Sequence, residues 1–114
     1  MRRSIILNTV LALAAINVVA CSPTKEEIKI DYASAEIYEA ALNNGENTIN
    51  KVVKFIADEL HPNSAFGYNI YAGEHLNFIS DFDPEVKVGD TLIVEIKDVA
   101  SFLSSWLIKY DKLK

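Results

Sequence analysis

The first 21 residues constrain this chain most, because they decide how much of it remains to form a domain. Arg2 and Arg3 precede a mostly apolar run of 16 residues, 5–20, which ends at Cys21. A charged start, an apolar centre and small residues before a cleavage point are the layout of a secretion signal. A membrane-spanning helix needs about 20 apolar residues, so this run is short for one. We predict that residues 1–20 are removed.

The residues before Cys21 resemble the lipobox of bacterial lipoproteins. The segment reads Val18-Val19-Ala20-Cys21, and Cys21 is the only cysteine in the chain. The resemblance implies that Cys21 is lipidated and becomes the first residue of a protein anchored outside the cytoplasm, on the cell membrane or outer membrane. Ser22 after the cysteine resembles the pattern of lipoproteins sent to an outer membrane. Two alternatives stay open, namely an ordinary secretion signal and an uncleaved hydrophobic anchor.

Composition excludes several classes of function for the remaining 94 residues. They hold nine lysines against 16 acidic residues, a formal charge of −7, and a surface this acidic repels nucleic acids. If Cys21 carries lipid, no thiol remains for a disulfide, a cysteine nucleophile or a zinc-thiolate site. The length allows one small domain. We predict a lipidated N-terminus and tether over residues 21–29 and a single domain over residues 30–114.

The next segments predict one helix and one strand. From Ser34 to Leu42, an apolar stripe of Ile37, Ala40 and Ala41 indicates a short helix, which Asn43-Asn44-Gly45 ends. Residues 49–60 fit both a helical and an alternating template. Their many β-branched residues favour a strand, ended by His61-Pro62-Asn63-Ser64.

The C-terminal half predicts a hairpin and two further strands. Residues 68–71 and 76–79 alternate around a turn at Ala72-Gly73-Glu74. Residues 91–97 alternate most clearly, with Leu92, Val94 and Ile96 on one face. A mixed polar and apolar segment, residues 100–105, then leads to a last strand over residues 106–110.

These elements predict an α+β fold that is mainly β. A short N-terminal helix would precede five strands closing into a partly open barrel around Phe55, Phe78 and Trp106. Residues 31–114 resemble small secreted OB-fold-like domains in their order of elements and in the segment Gly89-Asp90-Thr91-Leu92-Ile93-Val94. The resemblance implies the architecture alone. Nucleic-acid-binding OB-folds present basic residues on the barrel face, and this chain offers hardly any there.

The candidate binding surface lies on the predicted hairpin. It comprises an exposed patch of Tyr71, His75 and Asn77, extended by Tyr68 and Glu74. Tyrosines are suited to recognition because they give large contact area at low entropic cost. Glu74 and His75 are adjacent, so on a strand they would point to opposite faces. They could act as an acid–base pair or share a metal only through an irregular turn.

Other polar groups offer no recognisable site. A zinc site from His61 and His75 would need unpredicted proximity. Asp81, Asp83 and Glu85 lack the glycine and distal glutamate of an EF-hand calcium loop. Ser101, Ser104 and Ser105 have no neighbouring histidine in the sequence. We therefore predict no catalytic residue, no metal and no cofactor.

The sequence thus favours a non-enzymatic interaction module at the cell envelope. Its expected partners are the membrane, through the lipid on Cys21, and another envelope protein, with no nucleic acid. Small lipoproteins similar in size and build act in immunity or phage exclusion, and this resemblance extends the expectation to such a role. The alternative is a carrier or sensor of a small ligand or metal, with Glu74, His75 and Asp81 as its polar groups.

Overall fold

The computed structural model describes residues 27–114 of the chain. The predicted signal segment, Cys21 and residues 22–26 of the predicted tether lie outside the described residues. Within the described part, no helix is both long enough and apolar enough to cross a membrane.

Helix α1 spans Ala35–Asn43, close to the predicted bounds. It begins where the side-chain oxygen of Ser34 accepts a hydrogen bond from the backbone N–H of Ile37 at 3.2 Å. It ends at Asn44, followed by Gly45 with a φ of +78°, in the left-handed region that glycine adopts without strain. The predicted helix and its stop signal are confirmed.

The buried face of α1 differs from the predicted stripe. Ile37 is 52% exposed and Ala40 is also exposed, whereas Tyr38 and Leu42 belong to the core. Ala41 is buried as predicted, but the prediction was wrong for Ile37 and Ala40, because Tyr38 and Leu42 define the side of the helix that faces the sheet. Tyr38 is the largest side chain on the helix that can fill the sheet's inner face, and its hydroxyl lies 3.0 Å from that of Thr48 in the interior.

Six strands follow α1 and form one sheet. They are β1 Val52–Ile56, β2 Glu59–Ser64, β3 Gly67–Ala72, β4 Leu76–Ser80, β5 Thr91–Phe102 and β6 Ser105–Lys112. Their order across the sheet is β1-β5-β6-β4-β3-β2, and all neighbours are antiparallel except β4 and β6. The sheet curls into a half-barrel, and the core lies between its inner face and α1.

The coarse prediction of a mainly β domain with one short helix is confirmed, and two of its details are wrong. The sheet has six strands, where five were predicted. The helix is not N-terminal, since residues 27–34 precede it and Tyr32 forms a bridge to Val53 beside the β1 edge. This bridge shields part of an edge that would otherwise present unpaired backbone groups.

The sixth strand arises in the segment that was expected to end a strand. Residues 49–60 do contain β1, but the chain leaves the sheet at Ala57 and Asp58 and returns as β2 through residues 61–64. Pro62 is tolerated there because β2 is an edge strand with an irregular register between His61 and Ser64. The strand predicted over residues 49–60 is confirmed for residues 52–56, which form β1. Residues 59 and 60 already belong to β2, and the predicted strand end at residues 61–64 is wrong.

The other strands follow the predicted pattern. The hairpin of β3 and β4 is confirmed, and so is the alternation of β5, where Leu92, Val94 and Ile96 are buried. The mixed polar and apolar segment of residues 100–105 completes β5 at Phe102 and begins β6 at Ser105. Leu103 and Ser104 form that turn with φ of 50° and 66°.

Aromatic packing centres the core on two stacked rings. Phe55 on β1 and Phe78 on β4 lie with ring centroids 3.9 Å apart at an angle of 8°. Both are buried, whereas Trp106, predicted beside them, is half-buried and packs at the margin. The core therefore joins a strand at one edge of the sheet to a strand deep within it.

Candidate functional site

Four of the five residues predicted for the binding surface line one open depression. Tyr71 and Asn77 face each other on β3 and β4, and Glu74 and His75 lie in the turn between these strands. With Asp58 and Glu59 they surround a volume of about 390 Å³, which we call the hairpin-end depression. Alternation and antiparallel pairing place the first two side chains on one face, as predicted.

Tyr68 does not belong to this depression. Along β3, Tyr68 lies on the opposite face from Tyr71 and on the same inner face as Ile70. There it lines a separate cavity of about 220 Å³ with Leu60 and Val86. The interpretation of Tyr68 as part of the same surface was wrong, because three positions separate it from Tyr71 and an odd spacing on a strand changes the face.

Glu39 on α1 is the principal side chain of the site that sequence reasoning missed. Its Oε1 accepts hydrogen bonds from the backbone N–H groups of Glu74 at 2.9 Å and His75 at 3.2 Å. Its Oε2 lies 2.7 Å from Nδ1 of His75. The Glu39 side chain is only 10% exposed, so these contacts replace the water that an ionised carboxylate would otherwise need.

These contacts also decide the charge of Glu39. Burial by itself would raise its pKa, but the hydrogen bonds from His75 and from the two backbone groups outweigh burial and hold the pKa below the ordinary value of 4.5. Glu39 is therefore ionised at neutral pH. The result is a fixed negative charge at the base of the turn that carries Glu74 and His75.

The turn between β3 and β4 brings Glu74 and His75 to the same side of the sheet end. Glu74 and His75 were expected on opposite faces of a strand, but Gly73, Glu74 and His75 form a turn, in which alternation does not apply. Both residues consequently approach Glu39, and the His75 side chain remains 51% exposed at the opening. A carboxylate that orients an imidazole in this way can bind a cation or position a proton.

Gly73 permits the close approach of α1 to the turn. Its φ is +60°, and a Cβ at this position would lie 2.7 Å from Oε1 of Glu39. We expect Gly73→Ala to lower the free energy of unfolding by about 2 to 3 kcal/mol, combining left-handed strain with displacement of a buried carboxylate. Denaturant unfolding followed by circular dichroism measures the loss.

Gly45 supplies the matched control for that substitution. Its φ is +78°, yet a Cβ there would meet nothing within 4 Å. Gly45→Ala should therefore cost only the backbone strain, about 1 kcal/mol. Equal losses for the two variants would show that the contact between Glu39 and the turn contributes nothing.

The remaining candidates are not assembled into sites. The His61 ring packs against the Tyr71 ring at a tilt of 34°, with ring centroids 4.4 Å apart. Among residues 27–114, His61 and His75 do not belong to one group of potential metal ligands. Asp83 accepts a hydrogen bond from the backbone N–H of Glu85 at 2.8 Å, which explains this acidic loop as a local turn. Ser101 and Ser105 belong to β5 and β6.

Comparison with known proteins gives no relative: no family model, no curated protein and no solved structure matches this chain.

Proposed function

We propose that this protein is a lipid-anchored, non-enzymatic binding module of the cell envelope, which holds another envelope protein through the hairpin-end depression. The observation that carries the proposal is the gathering of Tyr71, Glu74, His75 and Asn77 around one opening. An aromatic ring beside polar groups on a rigid hairpin is the composition that protein recognition favours.

The charge of the depression defines the kind of partner. Asp58, Glu59 and Glu74 line it, and among residues 27–114 no lysine or arginine does. Such a surface favours a partner that offers basic side chains, with an apolar or aromatic group to cover Tyr71. It disfavours nucleic acid, in keeping with the acidic composition of the domain.

Two further elements belong to the same proposal. Lipid on Cys21 would hold the depression within reach of other envelope proteins, on the tether predicted over residues 21–29. The likeness to OB-fold domains is supported by the curled sheet, which presents a strand-and-loop surface of the type that those domains use for binding.

The test is a crosslinking pull-down from intact cells that express the full-length protein with a tag after Lys114. A Tyr71→Ala, His75→Ala double variant at equal abundance should lose the partner, and high salt should weaken capture by the unchanged protein. Phe82→Ala removes a more exposed aromatic side chain outside the depression, 79% exposed against 36% for Tyr71, and should keep the partner.

Two results would contradict the proposal. Equal capture by the double variant and by Phe82→Ala would exclude the hairpin-end depression as the binding surface. Absence of any specific partner for the unchanged protein would exclude the interaction module itself and favour the carrier or sensor of a small ligand.

A further inference from the structure

One ligand-type atom from each of Glu39, Glu74 and His75 lies within 4.8 Å of the other two. We propose that these three side chains form a binding site for a divalent first-row transition metal ion, with Zn²⁺ as the probe. The site lies at the hairpin-end depression, but it requires no protein partner and so is independent of the proposed function.

Electrostatics at the depression favours a bound cation. Glu39 and Glu74 contribute two carboxylates. Asp58 and Glu59 line the depression together with Glu74, and no lysine or arginine of the described part of the chain does so. The one basic group that pairs with Glu39 within the described residues is His75. Negative charge is therefore concentrated around an imidazole and left without a compensating permanent cation, which a divalent ion would supply.

Glu39 and His75, two of the three proposed ligands, are already held in place without an ion. The backbone N–H groups of the turn bind Oε1 of Glu39 and leave Oε2 facing His75. In a tetrahedral zinc site, neighbouring nitrogen and oxygen ligands lie about 3.4 Å apart, as bond lengths near 2.1 Å require. Nδ1 of His75 and Oε2 are now 2.7 Å apart, so the exposed ring needs to move by well under 1 Å.

Binding of Zn²⁺ to Nδ1 of His75 displaces one proton. The hydrogen bond between Nδ1 and Oε2 holds one proton, which the metal replaces. The neutral imidazole then carries its proton on Nε2, and any excess proton passes to solvent through the exposed side of the ring. Glu74 is exposed and supplies the third ligand from the rim, which leaves the fourth position for water.

The ligand set also selects the class of metal. Imidazole with carboxylates suits zinc and its first-row neighbours, whereas calcium needs six to eight oxygen ligands and magnesium retains its waters. We therefore expect Zn²⁺ to bind and Ca²⁺ to give no comparable heat. This preference differs from the carboxylate-only calcium loop that was considered for residues 81–85.

The experiment is calorimetric titration of the full-length protein, in detergent micelles, with ZnCl₂ and separately with CaCl₂. Glu74→Gln is the decisive variant, because its side chain is exposed and only its backbone N–H bonds to Glu39, so the fold is unaffected. Loss of this ligand should weaken Zn²⁺ binding by at least about tenfold, since even residues that only support a ligand contribute that much. His75→Ala should abolish binding.

His61→Ala is the matched control, since it removes the other histidine and lies outside the ligand group. It should bind Zn²⁺ like the unchanged protein, and the imidazole signals of His75 in NMR spectra should shift on titration. Three results would each overturn the proposal. They are the absence of a heat of Zn²⁺ binding for the unchanged protein, unchanged Zn²⁺ affinity of Glu74→Gln, and binding of Ca²⁺ with the same affinity as Zn²⁺. None of these outcomes affects partner capture, which is measured separately.

Discussion

Replacing Phe78 with alanine should lower the free energy of unfolding by about 3 to 5 kcal/mol, the usual cost of removing a buried aromatic ring. Phe78 is fully buried and stacks on Phe55, and its ring centroid lies about 6 Å from those of Tyr38 and Tyr110. The substitution therefore opens a cavity where α1, β1, β4 and β6 meet. Domains of this size have only about 5 to 15 kcal/mol of stability, so much of it should disappear.

Urea unfolding followed by the near-ultraviolet circular dichroism of Trp106 measures this loss. Phe82→Ala is the control, because Phe82 is 79% exposed and its removal should change the free energy by no more than about 0.5 kcal/mol. Similar losses for the two variants would show that the stacked rings do not form the centre of the core.

Local alternation accounts for the part of the fold that the sequence predicts. In β5, Leu92, Val94 and Ile96 are buried and alternate with less buried residues. The hairpin keeps this period for the core face of β3 and β4, although Asn69 and Ile79 on the other face are also buried. Burial of one face imposes this period on the sequence, so the pattern identifies the strand. The helix is similarly marked by its capping residue Ser34 and its terminal Gly45.

The predictions from sequence fail where the local backbone structure is determined by pairing with a neighbouring strand. Pro62 indicates a strand end, yet it sits in β2, because an edge strand needs hydrogen bonds on only one side. The turn at Leu103 and Ser104 lacks the glycine or asparagine that normally announces a hairpin with positive φ. In both places, pairing with a neighbouring strand overrides the local preference of the sequence.

Part of the candidate site could be predicted from local sequence, and part could not. Tyr71 and Asn77 could be predicted as neighbours, since the turn length fixes the register of their hairpin. The contact of Glu39 with this turn could not be predicted, because Glu39 lies 35 positions before Glu74 in the chain. A charged residue on an amphipathic helix also normally faces solvent. The one signal in the sequence is Gly73, whose missing side chain marks the place where Glu39 approaches.

Replacing Cys21 with alanine should release the protein completely from the membrane fraction, because the resemblance to a lipobox makes this thiol the attachment site of the acyl chains. Each buried methylene contributes about 0.8 kcal/mol, so the two or three acyl chains expected on Cys21 would anchor a domain almost irreversibly. The acidic domain itself offers little attraction to anionic headgroups. Labelling cells with radioactive palmitate, followed by fractionation, measures both lipidation and anchoring.

Ser22→Ala is the control for this substitution, since it changes the adjacent residue and leaves the only thiol in place. It should keep both the label and the membrane association, whereas Cys21→Ala should lose both. Membrane association retained without label in Cys21→Ala would instead identify residues 5–20 as an uncleaved anchor. Mass spectrometry of the mature N-terminus separates these outcomes, because only lipoprotein processing places an acylated Cys21 at the first position. An acylated Cys21 at the first position would place the proposed binding surface at a membrane, where tethering raises the effective concentration of even a weak interaction.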